Sequence, residues 1–200
     1  MKKWLIPLLI IGVIAFAIYN WAVGFNNQAV VYEEDAKTAW SNVESSYQRR
    51  NDLIGNLVKT VQGAADFERG TLKDVIEARS KATQVNIDAN NLTPEAIANF
   101  QQAQSGLSGA LSRLLVTVER YPDLKANQNF LNLQSQLEGT ENRINVARDR
   151  YNEQVSQYEK YTNKFPNSVL AGWFGFDEMA RYSADPGSEN AVDVDFDFES

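Results

Sequence analysis

Few residues in this chain could do chemistry. Glu138 and Glu141 stand three apart on one helix face, and Glu141 with Asp149 makes a second carboxylate pair. Such a pair serves general acid–base catalysis when a cleft perturbs one member. Arg143, Arg148 and Arg150 lie among these acids, which favours a solvated, ion-paired face over a catalytic dyad. The 200 residues include no histidine and no cysteine. That excludes Ser-His-Asp triads, thiolate nucleophiles, disulfides, His/Cys zinc sites and the Glu-x-x-His ligands of di-iron bundles. Asp193, Asp195 and Asp197 resemble the opening of a calcium loop, but Phe198 occupies the turn-glycine position and the distal Glu is missing. No cofactor or metal is expected.

The net charge of −7 is uneven: residues 183–200 hold six acids and no Lys or Arg, leaving the rest near neutral. A near-neutral body with an acidic tail is a poor match for nucleic acid. The tail alternates apolar and acidic residues from Val192, with Phe196 and Phe198 as candidate partner contacts. It is too short to order alone and could add as an edge strand to a partner's sheet.

The elements that would position these residues are long helices. From Tyr121 to Phe165 the chain runs for about 40 residues beyond Pro122 without another proline until Pro166, a rod of roughly 60 Å. Its apolar seam is Phe130, Leu133, Leu137, Thr140, Ile144, Ala147, Tyr151, then Val155, Tyr158, Thr162 and Phe165. The steps alternate 3 and 4, with one four-residue stutter from Tyr151 to Val155. A second seam runs Trp40, Val43, Tyr47, Arg50, Ile54, Leu57, Val61 and Ala64. A third runs Ile97, Phe100, Gln104, Leu107, Leu111, Leu114 and Val118, opened by Thr93 as N-cap and Pro94 at the first helical position. A weaker helix is expected over 71–89. Arg50 occupies an apolar slot: either its head snorkels to water, or it makes a buried, register-fixing pair with Glu119, Glu138 or Glu141.

The run Trp4 to Val23 is uncharged and long enough to cross about 30 Å of hydrocarbon. Trp4, Tyr19 and Trp21 lie near its ends as interface anchors. Ala15-Phe16-Ala17 offers a cleavage-site alternative, but the apolar run continues beyond it. Lys2 and Lys3 precede the span and the next basic residue is Lys37, so charge bias puts the N-terminus in the cytoplasm and the large domain outside. After Pro166, Val169, Leu170, Trp173, Phe174, Phe176 and Tyr182 are too apolar for a solvated linker. They either fold back over the bundle or form an aromatic patch for a bilayer or partner, with Trp173, Phe174 and Phe176 as contacts.

The expected fold is therefore all-α: an N-terminal transmembrane helix followed by an antiparallel, coiled-coil-like four-helix bundle. Three parts are expected: an anchor over 1–25, a bundle over 26–182 and an acidic, disordered tail over 183–200.

Several stretches are similar to the LemA family of bacterial membrane-anchored helical proteins. They are Ala39 to Gly63, Glu77 to Ala82, Val118 to Val155 with its YPDLKAN and LEGTENRI blocks, and FPNSVLAGWFGF from Phe165. The chain departs from the family at Gly55-Asn56, where Pro-Asn is usual, and at Phe67-Glu68, where a His-Glu pair is common. The resemblance implies one N-terminal span, an antiparallel bundle, no established catalysis and adaptor-like association with other membrane proteins, including membrane metalloproteases. It transfers no catalytic residues. The expected function is that of a membrane-anchored interaction or adaptor protein of the cell envelope. The alternatives are a self-assembling, homo-oligomeric membrane-organising factor and, third, a carboxylate-dependent enzyme.

Overall fold

The computed structural model describes residues 4–63 and 67–183. Lys2, Lys3, Ala64, the aspartates of the calcium-loop likeness, Phe196 and Phe198 lie outside the described residues. Six helices follow in order: α1 (Leu5–Gln62), α2 (Arg69–Gln84), α3 (Pro94–Val118), α4 (Pro122–Lys125), α5 (Gln128–Thr162) and α6 (Asn167–Phe174). The described regular structure is entirely helical.

The apolar N-terminal run and the first core seam are one continuous helix of 58 residues. The polar stretch from Gly24 to Gln28 does not break it, because Phe25 and Ala29 there are buried against α6 and add packing to an unstrained helical backbone. The side chains from Trp4 to Ile18 are all exposed, and this half of α1 is a candidate membrane span.

Below the span α1 is covered in three tiers. Nearest to it, Phe25 and Ala29 pack on Leu170 and Ala171 of α6, with Tyr161 of α5. In the middle, Trp40, Val43 and Tyr47 meet Phe100 of α3 and Ile144, Tyr151 and Val155 of α5. At the far end, Ile54, Leu57 and Val61 meet Leu72 and Val75 of α2, Leu107 and Leu114 of α3, and Leu137 of α5. Residue numbers rise on α1 as they fall on α5, from Phe25 with Tyr161 to Trp40 with Tyr151 and Arg50 with Glu141, so the two are antiparallel. α3 runs with α1, pairing Trp40 with Phe100 and Arg50 with Gln104. The three strong seams are buried at nearly every described position, including both sides of the stutter.

Four departures have local causes. The expected 40-residue rod is interrupted after Lys125: the Asn127 side chain accepts from the Asn129 and Phe130 amides and restarts the helix as α5. Phe165 leaves the seam and is exposed, since α5 has already ended at Thr162. α2 ends at Gln84 rather than reaching residue 89, with Val85 extended; burial of Ile87 and Leu92 in the middle tier outweighs local helix preference. At Gly55 the bare backbone admits Arg79, whose Nε donates to Asn51 O at 2.8 Å; a Cβ there would come within 3.2 Å of the guanidinium.

Candidate functional site

The buried charge sits where the far and middle tiers meet. Arg50 is only 3% exposed. Its Nη1 donates to Glu141 Oε1 at 3.0 Å and Ser108 Oγ at 3.1 Å. Its Nη2 donates to Gln104 Oε1 at 2.6 Å, and its Cζ lies 4.7 Å from the Tyr47 ring centroid. Gln104 in turn donates from Nε2 to Ala82 O at 3.5 Å. One side chain thus ties α1 to α3 and α5, and through Gln104 to α2. Of the three acids considered for it, Glu141 is the partner. Glu119 pairs instead with Lys125, and Glu138 accepts from Gln134. The carboxylates with catalytic spacing are therefore apart in role: Glu141 holds the arginine, while Glu138 and Asp149 are exposed.

The C-terminal segment does both things that its composition allows, with different residues. Residues 176–183 form a strap along α5. Tyr158 Oη donates to Asp177 O at 2.8 Å and Tyr151 Oη to Ala180 O at 2.6 Å. Tyr47 Oη meets Tyr182 Oη at 2.6 Å, and Asn152 exchanges two bonds with the Tyr182 backbone. Ala180 N donates to Leu92 O at 3.2 Å, Arg181 pairs with Glu159, and the Arg148 guanidinium stacks 3.9 Å from the Tyr182 ring centroid. Burial pushes the phenols of Tyr47 and Tyr151 above their ordinary range and raises Tyr158 to about 12. Apolar spacing identified these tyrosines as core but gave no sign that their hydroxyls hold a strap. The aromatic patch is left to α6: Trp173 is 88% exposed, Phe174 half exposed, and Phe176 partly buried. Trp4, Tyr19 and Trp21 are exposed on the candidate span.

The opposite flank of the α1–α5 pair is an open groove. It is lined by small or polar residues (Ala39, Asn42, Ser46, Thr140, Ala147), by three arginines, Arg49, Arg143 and Arg150, and by two acids, Asp35 and Glu153. Among the described residues these three guanidiniums make no ion pair or hydrogen bond, so the expected pairing of Arg143 and Arg150 with the α5 acids does not occur there. Sequence reasoning missed this groove, because seam counting finds the buried face of a helix and is silent about which exposed faces adjoin. Among the described residues no cluster of three or more acidic metal ligands comes together.

The pattern that defines the LemA family matches residues 39–196, which takes in the arginine layer, the strap and all of the groove but Asp35 and Thr38. Similar curated proteins include magnetosome protein MamQ 2 of Paramagnetospirillum magneticum, 26% identical over 187 residues, covering 83% of this chain and 67% of that protein. Magnetosome protein MamQ of Magnetospirillum gryphiswaldense is 24% identical over 209 residues, covering 94% of this chain and 75% of that one. Protein LemA of Metamycoplasma hominis is 25% identical over 166 residues, covering 83% and 67%.

Proposed function

The chain belongs to the LemA family, and from that premise we propose that it is a membrane-anchored adaptor whose α1–α5 groove receives an acidic segment of another membrane-associated protein. One observation carries this reading: three arginines lining a single open groove have no partner among the described residues. Exposed guanidiniums cost little unpaired, and against the two acids of the lining, Asp35 and Glu153, the three arginines leave the groove an excess of positive charge that steers and orients carboxylates. The groove lies well away from the bilayer. On α1 its lining begins at Asp35, 12 residues past Val23 or about 18 Å along the axis, and reaches Arg49, 26 residues or about 39 Å past it, beyond the headgroup layer, so lipid headgroups are not its ligand. A partner standing upright beside the span is. By charge bias the bundle faces away from the cytoplasm, which protease digestion of intact cells against spheroplasts tests directly.

The test is photo-crosslinking in cells from Val146, on the groove, against Val116, exposed on α3. A discrete hetero-adduct from Val146, lost in Arg143→Glu/Arg150→Glu, supports the adaptor reading. An adduct at twice the chain's own mass supports self-assembly instead. No adduct from Val146 removes the proposal. No reaction is assigned to Glu138, Glu141 or Asp149.

A further inference from the structure

The residues of α6 are all uncharged, and the helix is apolar on two sides. One side, Leu170 and Ala171, is buried against α1. The other, Val169 and Trp173, four apart and therefore on one face, is exposed; Trp173 is the most exposed large apolar side chain described. Phe165, just ahead of the helix, is exposed as well. Leaving an indole and a phenyl ring in water forgoes the gain of burying them, and an exposed apolar patch of this kind marks a contact surface.

What covers it follows from where it is fixed. The Phe25 ring stacks on Tyr161 at 5.5 Å and on Phe174 at 6.3 Å, and meets Phe176 edge-on at 5.8 Å. Ala22, which is inside the uncharged run, packs on the same cluster. Phe25 is two residues past Val23, or about 3 Å along the axis. Headgroup regions extend roughly 5–7 Å beyond the hydrocarbon on each side, so α6 is held within that layer wherever it sits around α1. Gly175, at φ 77°, ends the helix with its N–H bonded to Ala171 O, and Phe176 then joins the Phe25 cluster, which fixes the rotation of α6. Lys160 and Lys164, exposed at the end of α5, sit beside it, where long cationic side chains reach phosphates.

We propose that α6 is an interfacial foot: Val169, Trp173 and Phe165 insert among lipid headgroups beside the span, giving the bundle a second membrane contact and a fixed tilt. The foot is independent of the groove, which lies farther along α1. It differs from a lipid-anchoring amphipathic helix in being carried by the bundle rather than binding on its own.

The chain has no cysteine, so single spin labels can be placed without background. The full chain carrying Trp173→Cys, Val169→Cys or, as reference, Val116→Cys is reconstituted in vesicles of phosphatidylcholine with phosphatidylglycerol. Dissolved oxygen, which concentrates in lipid, and a water-soluble nickel chelate are compared as relaxing agents. The expected result is a reversed preference: oxygen dominates at 173 and 169, nickel at 116. Nickel dominance at all three sites overturns the proposal. So does exclusion of both agents from 173 and 169, which means that protein covers the face. Failure of the groove crosslinks leaves this result unaffected, so the two readings stand or fall separately.

Discussion

The far and middle tiers of the bundle use the same 3-4 spacing but are held by different means. The far tier is mainly aliphatic, with Phe67 and Phe130 among its buried residues, and it is built between helices: Ile54, Leu57 and Val61 of α1 face Leu107 and Leu114 of α3, Leu137 of α5 and Val75 of α2. In the middle tier α2 has ended. Its place is taken by the 85–92 loop and the strap, and the core becomes Trp40, Tyr47, Phe100 and Tyr151. An extended strap has no internal ladder for its backbone groups, so they need partners from elsewhere. Tyr158 and Tyr151 supply two of them, each pairing a buried ring with a hydroxyl that reaches a strap carbonyl, and Asn152 and Leu92 O bond the backbone of Tyr182 and Ala180. The lesson is that a helical bundle can lose a helix and stay closed if its seam supplies polar ends as well as apolar area.

The largest predicted effect tests whether the middle tier depends on its aromatics. Trp40 is fully buried, with Phe100 at 5.5 Å and Tyr151 at 5.2 Å between ring centroids. Trp40→Ala is expected to cost about 4 kcal/mol, against about 3 for Leu57→Ala in the far tier. Thermal melts in nanodiscs should register roughly 2–4 °C per kcal/mol. A smaller loss for Trp40→Ala than for Leu57→Ala would show that the strap, not the rings, holds the tier together.

Next comes the layer between the tiers. Glu141→Ala strands the buried guanidinium of Arg50 and is expected to cost about 2–4 kcal/mol, tempered because Gln104, Ser108 and the Tyr47 ring remain. Arg50→Met keeps the stem's packing and removes the charge, and should cost less than Glu141→Ala, within about 2 kcal/mol. Denaturant midpoints of the two variants decide it. If Arg50→Met is the costlier, the arginine's bonds to α3 matter more than relief of a buried charge.

These contrasts mark what was legible in the sequence. Periodicity gave the three strong seams almost residue by residue, because burial of one helix face is what periodicity encodes. It also raised the question of Arg50, since a charge in an apolar slot breaks the pattern. Choosing Glu141 over Glu119 and Glu138 required knowing the relative heights of α1 and α5, which no single seam contains. The strap was hidden for a similar reason: Tyr151 and Tyr158 fit the seam as apolar rings, so nothing flagged their hydroxyls. The groove was least visible, because Arg49 belongs to one helix and Arg143 and Arg150 to another.

A smaller effect separates the tiers by pH. Tyr47, Tyr151 and Tyr158 have raised phenol pKa values, burial being the main cause in each. Raised values mean that the neutral phenol is favoured in the folded form. Their stabilisation is therefore complete below pH 10, the ordinary phenol value, and is lost as the pH climbs toward the folded values, about 12 for Tyr158. The far tier has no fully buried tyrosine among the described residues. In a variant keeping Trp40 as its lone tryptophan, emission should shift to the red in this range before helical ellipticity falls. Simultaneous loss of both would mean that the tiers unfold as one. Tyr151→Phe, which leaves Ala180 O unpaired, should cost about 1 kcal/mol at neutral pH.

The smallest effect concerns where the strap stops mattering. Ser183 O accepts from Gln101 Nε2 at 2.9 Å and from Arg148 Nη2 at 3.1 Å, and Ser183 Oγ donates to Gln101 Oε1 at 3.0 Å. These bonds are exposed, so together they are worth no more than about 1 kcal/mol. Ending the chain after Ser183 should leave stability within the scatter of surface substitutions, about 0.5 kcal/mol. Ending it after Tyr182 should add a small, measurable loss. Ending it after Phe176 removes the partners of Tyr158, Tyr151 and Tyr47 together and should open the middle tier while the far tier, which touches none of them, stays closed in hydrogen exchange. If truncation after Phe176 instead unfolds both tiers, the strap is a keystone for the whole bundle rather than a replacement for the missing stretch of α2.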